Sequence, residues 1–420
     1  MSVGRTSALW EYLEPPSAFG DPDRTGVSAA GVRVTMQSGR TLLCGTSGLW
    51  NVNFGYGQPA IAEAVRDQLL DASYFGLFRS GSRIAGQAAD ALLEVCGRDV
   101  FARVLFATSG SAANDLVMKL SRQAARLQGD RARNLVVGLR GSYHGQTYGA
   151  LSLSGEELLQ DEFAVDRRYV RHVDPFDGGR ELSDLCERDG DRIAVLVLEP
   201  VLGSGALVVP DTFVQLAGEL ADKHGFLLAA DEVATGYHRT GPFRASSTWS
   251  RQPDLLVLSK GLTNGTCAAS AVVASLRACA PFDMHDFPLV HGETQAGTPA
   301  SCAAMLATLD IAREFEHQER AKNVAVDLDT ALAALQARSR LTVSLTGAGA
   351  FRGVQVAAGP DPVSAQMVSE LVSATREQGA IVQPGLHGVQ LVPALCYTTD
   401  EVAELVGCLE AGLDAFAGRL

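Results

Sequence analysis

Lysine is scarce in this chain. Of its 35 Lys and Arg residues only four are lysines, Lys119, Lys223, Lys260 and Lys322, so any chemistry that needs a side-chain amine has four candidates. Positive charge as a whole is short: 35 cations stand against 48 Asp and Glu, a formal charge of −13. That balance argues against a nucleic-acid backbone or an anionic membrane surface as the main partner. None of the eight cysteines lies in a C-x-x-C pair and none of the eight histidines in H-E-x-x-H spacing, so neither a metal site nor a disulfide framework is indicated. No apolar run approaches the roughly 20 residues that cross a bilayer, and Met1 to Pro16 has no continuous apolar signal region. A cytoplasmic protein is expected.

What is present is core. At 46% hydrophobic over 420 residues the chain holds two or three domains' worth of material. Short apolar runs at Val104–Ala107, Leu135–Leu139, Ile193–Leu198, Phe226–Ala230, Leu255–Leu258 and Ala271–Ala274 read as buried strands. Helical patterns separate them, such as Asp211–His224, where Asp211 is placed to cap the start and Gly225 follows the end. This alternation predicts an α/β fold with a mainly parallel sheet, in which ligands collect at the carboxyl ends of the strands. After a long helical stretch, Ala300–Leu335, the pattern becomes α+β. Strands are expected at Leu341–Leu345, Gly353–Ala357 and Val389–Val392, and helices at Val363–Glu377 and Thr399–Phe416. The first 45 residues, alternating at Val32–Met36 and Thr41–Cys44, add an antiparallel piece to that smaller unit. The expected division is 1–45 and 311–420 for the small domain and 46–310 for the large one.

Four polar signatures sit at predicted strand ends. Thr108-Ser109-Gly110-Ser111-Ala112-Ala113-Asn114 opens a helix, where small residues let backbone N–H groups approach an anion such as phosphate. Alone it also fits an ordinary turn with a Ser cap. Gly141-Ser142-Tyr143-His144-Gly145 offers an aromatic that can lie over a planar ring, or one that completes the core. Ala229-Ala230-Asp231-Glu232-Val233 ends an apolar strand in carboxylates, and a buried carboxylate needs a partner, such as a protonated heterocyclic nitrogen. Asp231 could equally cap the next turn. Lys260, in Leu258-Ser259-Lys260-Gly261, ends a strand, whereas Lys119, Lys223 and Lys322 fall in helical patterns. A partly desolvated lysine has a depressed pKa and can form a Schiff base; a surface lysine opening a loop is the plainer reading.

The order of these signatures is more specific than any one of them. Together with Asp231-Glu232-Val233, Thr235-Gly236, Arg239-Thr240-Gly241 and Ser259-Lys260-Gly261, it resembles the class III, or ω-, aminotransferases, fold-type I enzymes dependent on pyridoxal 5′-phosphate (PLP). The similarity runs from about Gly39, through Ser47-Gly48-Leu49-Trp50, to Pro393. The resemblance implies a large PLP-binding domain and a smaller α+β domain from the N- and C-terminal segments. It implies that Lys260 holds PLP as a Schiff base and then moves the substrate proton, and that Asp231 pairs with the pyridine N–H. Tyr143 would stack on one ring face, with His144 beside it, and Val233 on the other. Gly110, Ser111 and Ala112 would hold the phosphate. Thr294 would reach the phosphate of a neighbouring subunit, making a homodimer with a shared active site. Trp50, Glu199 and Gln383 would line the substrate pocket.

Three positions depart from the family pattern. Ala112 stands where an acidic residue is usual, and His238 where a glycine is usual. Gln383-Pro384 stands where many members have Arg-Pro, whose arginine clasps the substrate carboxylate. Either another arginine, such as Arg79 or Arg352, takes that role, or the acceptor is a ketone or aldehyde with no adjacent carboxylate, for instance a natural-product or modified-peptide intermediate. The expected function is ping-pong amino transfer between an amine or amino acid and a ketone, aldehyde or keto acid. An aminomutase, racemase or decarboxylase would keep the same lysine and aspartate, and a non-catalytic subunit of the same fold is the rival from outside enzymology. A nucleotide-binding reading of the Gly110 turn lacks G-x-G-x-x-G and Walker spacing.

Overall fold

The structure, a computed structural model, describes residues 7–317 and 319–419. Its centre is a seven-stranded sheet in the order Phe101–Ala107, Ser270–Ser275, Leu255–Leu258, Leu227–Asp231, Ile193–Leu198, Leu135–Leu139, Val170–Val173. Ser270–Ser275 runs antiparallel to both of its neighbours and the other pairings are parallel. The five inner strands are buried along their whole length, which is why they read as unbroken apolar runs. Val170–Val173 lies at the edge, and its polar centre, Arg171-His172, hides it from a hydrophobicity search. With six strands pointing the same way, the segments after Ala107, Leu139, Leu198, Asp231 and Leu258 all emerge on one side of the sheet. Those five segments carry the polar signatures.

Helix ends follow local chemistry. Ser109 caps the helix Gly110–Leu127, its side chain accepting from Ala112 N–H at 3.2 Å. The helix Asp211–His224 ends at Gly225, which takes φ +79°. Its N-cap is Pro210; Asp211 lies in the first turn, where a carboxylate still favours the helix dipole. The stretch expected as one long helical region is two helices, Pro299–His317 and Arg320–Arg338, broken where Glu319 turns left-handed at φ +51°.

The chain's two ends lie together. Strands Gly26–Ala30, Arg33–Met36 and Thr41–Cys44 form an antiparallel ribbon, and Ala380–Ile381 adds to it in parallel. A second sheet pairs Thr342–Ala348, Phe351–Ala358, Gly388–Leu391 and Gln383–Pro384. Arg239, fully buried, ties these segments to the central sheet's loops. Its guanidinium donates to the carbonyls of Pro393 and Ala350, to Ser47 Oγ at 3.0 Å and to Asn53 Oδ1 at 3.0 Å. With no carboxylate among these partners, burial drives its pKa down to about 9.

Candidate active site

Sheet register assembles the site. Ala230 pairs with Leu198 and Asp231 with Val257, so Glu199 and Asp231 leave adjacent strands at nearly the same level; Lys260 does not itself end a strand but opens a short 3-10 helix, Lys260–Thr263, two residues past the next one, Leu255–Leu258. Asp231 is 2% exposed. Its Oδ2 contacts His144 Nδ1 at 2.7 Å and accepts from Asn114 Nδ2 at 2.7 Å, while Oδ1, among the described residues, accepts only the N–H of Val233 at 3.1 Å. Burial disfavours a charged His144, but the hydrogen bond to Asp231, then the charges of Asp231 and Glu199, outweigh it and raise its pKa. The ring's Nε2 is buried without a partner.

Glu199 is also buried. It accepts from Tyr143 N–H at 2.8 Å and from Gly203 N–H at 3.2 Å, and makes no ion pair within 4.0 Å among the described residues. Burial pushes its pKa up to about 7, against the pull of His144. Lys260 sits at φ +43°, with Nζ 4.3 Å over the Trp50 ring and no hydrogen bond or ion pair among the described residues. Burial brings its pKa down to about 8, although Glu199 and Asp231 favour its charge. Lys119, Lys223 and Lys322 are all exposed. Trp50, Tyr237 and His238 share the left-handed backbone of Lys260, at φ +66°, +56° and +62°. Such strain, about 1–3 kcal/mol per residue, gathers at functional sites. At position 238 it explains why glycine is the usual residue there.

The phosphate-type turn lies against this cluster. The first-turn N–H groups of Gly110 and Ser111 have no intrahelical acceptor. A Cβ at Gly110 would stand 3.2 Å from Val233, and one at Gly145 would stand 1.9 Å from Ser111 Oγ, so both glycines permit close approach. Ser111 Oγ accepts from Gln146 N–H at 3.2 Å, joining the turn to the Tyr143-His144 segment. Tyr143 is 40% exposed.

Two candidates lie apart from this cluster. Thr294 is exposed, its carbonyl accepting from the Tyr74 hydroxyl at 2.9 Å. Gln383 is half-buried on a strand beside Gln390, and its side-chain amide has no hydrogen-bond partner among the described residues. Of the arginines offered as substitutes, Arg352 is committed to Asp329 at 2.5 Å and to the Gly347 carbonyl at 2.8 Å, while Arg79 is exposed and has no ion pair among the described residues. Asn114, Gln390 and Gly203 were not singled out from the sequence. Asn114 was visible as the last residue of the Thr108 motif, one helical turn after Gly110. Gln390 was visible as one polar residue within the apolar Val389–Val392 run. Glu232 faces away from Asp231: it takes the Ser246 hydroxyl at 2.5 Å and the N–H groups of Ser246 and Ala245 at 2.8 and 2.6 Å, a structural role.

A family model for class-III aminotransferases matches residues 22–413. This chain belongs to that family. An omega-aminotransferase of Caulobacter vibrioides is 30% identical to it over 95% of each chain. An acetylornithine aminotransferase of Mycolicibacterium smegmatis is 31% identical over 95% of this chain and 96% of its own. Among solved structures, an (S)-enantioselective omega-transaminase from Thermomicrobium roseum superposes with a TM-score of 0.89 at 28% identity, covering 97% of this chain and 96% of that one. A PLP-bound amine transaminase from an uncultivated Pseudomonas species gives 0.87 at 27% identity, covering 97% of this chain and 99% of that one. The chain is thus a PLP-dependent aminotransferase of fold-type I.

The residues present suit that cofactor. Asp231 Oδ1 keeps lone-pair capacity beside its single backbone donor, the Gly110 turn offers free N–H groups to a phosphate, and Lys260 offers an unpaired amine. Among the described residues no cluster of His, Cys, Asp and Glu could hold a metal, and no helix is long and apolar enough to cross a membrane.

Proposed function

We propose that this aminotransferase works through Lys260, which carries PLP between turnovers and moves the substrate proton, with Asp231 holding the pyridine nitrogen. When bound, PLP supplies an electron sink for the substrate's amino carbon. Asp231, oriented by His144 and Asn114, would present its carboxylate to the ring N–H. Gly110, Ser111 and Ala112 take the phosphate at the helix N-terminus. Tyr143 and Val233 flank the ring, and Trp50, Glu199 and Gln383 line the substrate side. The observation that carries this reading is the conjunction, at the ends of adjacent strands, of an unpaired amine just past one strand and a carboxylate on the other that is braced by His144 and Asn114. Replacing Lys260 by Ala should abolish the visible absorbance of the bound cofactor and lower turnover by at least ~10²-fold. An unchanged spectrum would remove the assignment.

A specific observation favours substrates without an adjacent carboxylate. Gln383 presents a neutral amide, Arg352 is committed to Asp329, and Arg239 to the two chain ends. An amide lacks the paired, charge-assisted bonds of a guanidinium, so α-keto acids should lose a few kcal/mol of the binding that an arginine at this position would supply, and with it their advantage over simple ketones or aldehydes. Matched acceptors with and without the carboxylate test this. Fast amination of pyruvate or 2-oxoglutarate, unaffected by substitution of Gln383, would sink it, and exposed Arg79 would become the candidate clamp.

The same reading makes the protein a homodimer in which Thr294 serves the partner's phosphate site. Its exposure supports this, as do the exposed aromatics beside it, Tyr74, Phe75 and Phe78. A monomeric mass by light scattering would remove it. It also divides the chain into a large domain, 46–310, and a small one from 1–45 and 311–420, supported by the pairing of Ala380–Ile381 with Thr41–Cys44. A cytoplasmic location is supported by eight cysteines that are all unpaired.

A further inference from the structure

Directly after Glu199 comes a two-stranded hairpin, Val201–Leu202 paired with Leu207–Val208, and its turn is held from outside. Gly203 is the point where those holds meet. Its carbonyl accepts from Gln390 Nε2 at 2.5 Å and from Gly205 N–H at 3.0 Å. Its N–H donates to Glu199 Oε1 at 3.2 Å, and Glu199 Oε2 in turn accepts from Tyr143 N–H at 2.8 Å. Its Cα faces Trp50: a Cβ at this position would stand 3.5 Å from the indole ring and 3.4 Å from Glu199 Oε1. Trp50 is the ring under Lys260 Nζ. One residue of the hairpin therefore touches both the stacking side and the lysine side of the cleft.

Gln390 lies between Val389 and Leu391 in the strand Gly388–Leu391 and is itself 2% exposed. An amide in such a place is expensive to bury unless it does something with its hydrogen bond. Two other side chains from the same sheet, Thr346 and Gln355, also reach the hairpin, but both donate to the carbonyl of Gly205, at 2.9 and 3.1 Å. They hold the tip; Gln390 alone of the three holds Gly203.

We propose that Gln390 is a positioning residue for amino transfer: through Gly203 and Glu199 it fixes Tyr143 and Trp50, and so sets the shape in which the cleft receives cofactor and substrate. This deepens the function proposed above and rests on it. Without the amide, Gly203 is held only by its neighbour and by Glu199, the hairpin shifts, and the walls loosen while the lysine and Asp231 stay in place. Substrate binding suffers more than the chemical step.

The test uses the holoenzyme and three variants. Gln390→Met removes the donor at similar volume. Gln390→Asn keeps an amide but falls one methylene short of Gly203, and serves if the first does not fold. Gln355→Met removes a donor from the hairpin tip, where Thr346 still holds Gly205. The readouts are the visible circular dichroism of bound PLP, which reports the asymmetry of the ring's surroundings, and KM and kcat for a bulky arylalkyl amine. The Gln390 variants should show an altered dichroic band and a KM raised about tenfold, the loss of roughly one hydrogen bond, with kcat much less affected. Gln355→Met should lower the melting temperature without either change. Equal behaviour of the Gln390 and Gln355 variants, a lower melting temperature and nothing more, would overturn the proposal. A wild-type protein with no visible PLP band at all would instead overturn the site assignment on which it rests.

Discussion

At Lys260 burial and charge pull in opposite directions. Desolvation disfavours the ammonium, Glu199 and Asp231 favour it, and desolvation prevails, leaving a pKa of about 8. Only the neutral amine is nucleophilic, and its share grows as pH rises through that value. Capture of PLP by the apoenzyme should therefore accelerate between pH 7 and pH 9 and level off above. Stopped-flow absorbance measures it, and a rate still climbing toward pH 10.5 would mean an unperturbed lysine. The lysine was legible in the sequence because only four exist and three lie in helical patterns. Asp231 was legible as a carboxylate closing an apolar run. The brace around Asp231 was not: His144 and Asn114 lie 87 and 117 residues away along the chain, and only the folded sheet brings them to one oxygen. The same holds for Arg239, which reads as part of a motif near the lysine yet donates to Ser47, Asn53, Ala350 and Pro393, all at least 111 residues away along the chain.

Elements matter here through the turns that end them. Gly145 takes φ +120°, a conformation that side chains resist, and any Cβ there would collide with Ser111 on the neighbouring turn. Gly145→Ala should push the Gly110 turn away from its phosphate-binding geometry and raise the dissociation constant for PLP by about tenfold or more. Equilibrium titration of the apoenzyme checks it, and unchanged affinity would mean that this turn does not hold the phosphate. The inner strands were the most readable elements, since burial on both faces writes them as unbroken apolar runs: Leu135–Leu139, Ile193–Leu198 and Leu255–Leu258 match residue for residue. The edge strands Gly26–Ala30 and Val170–Val173 escaped because an edge tolerates polar and small residues. The antiparallel course of Ser270–Ser275 was also invisible, because an apolar run carries no direction.

For the whole molecule, the fold's contribution is convergence. Six strands pointing one way bring five loops, from residues 108, 141, 199, 232 and 259 onward, to one face of the sheet, and the terminal segments close over it, tied down by Arg239 and Gln390. The family follows from the comparisons, and the central claim left to test is that, of the four lysines, Lys260 alone carries the cofactor. The direct measurement is borohydride reduction of the holoenzyme, which fixes a Schiff base as a stable amine, followed by peptide mass spectrometry across all four lysines. The pyridoxyl mass is predicted on the peptide containing Lys260 and absent from those containing Lys119, Lys223 and Lys322. A label on any of those three, or a holoenzyme that takes none at Lys260, would contradict the account.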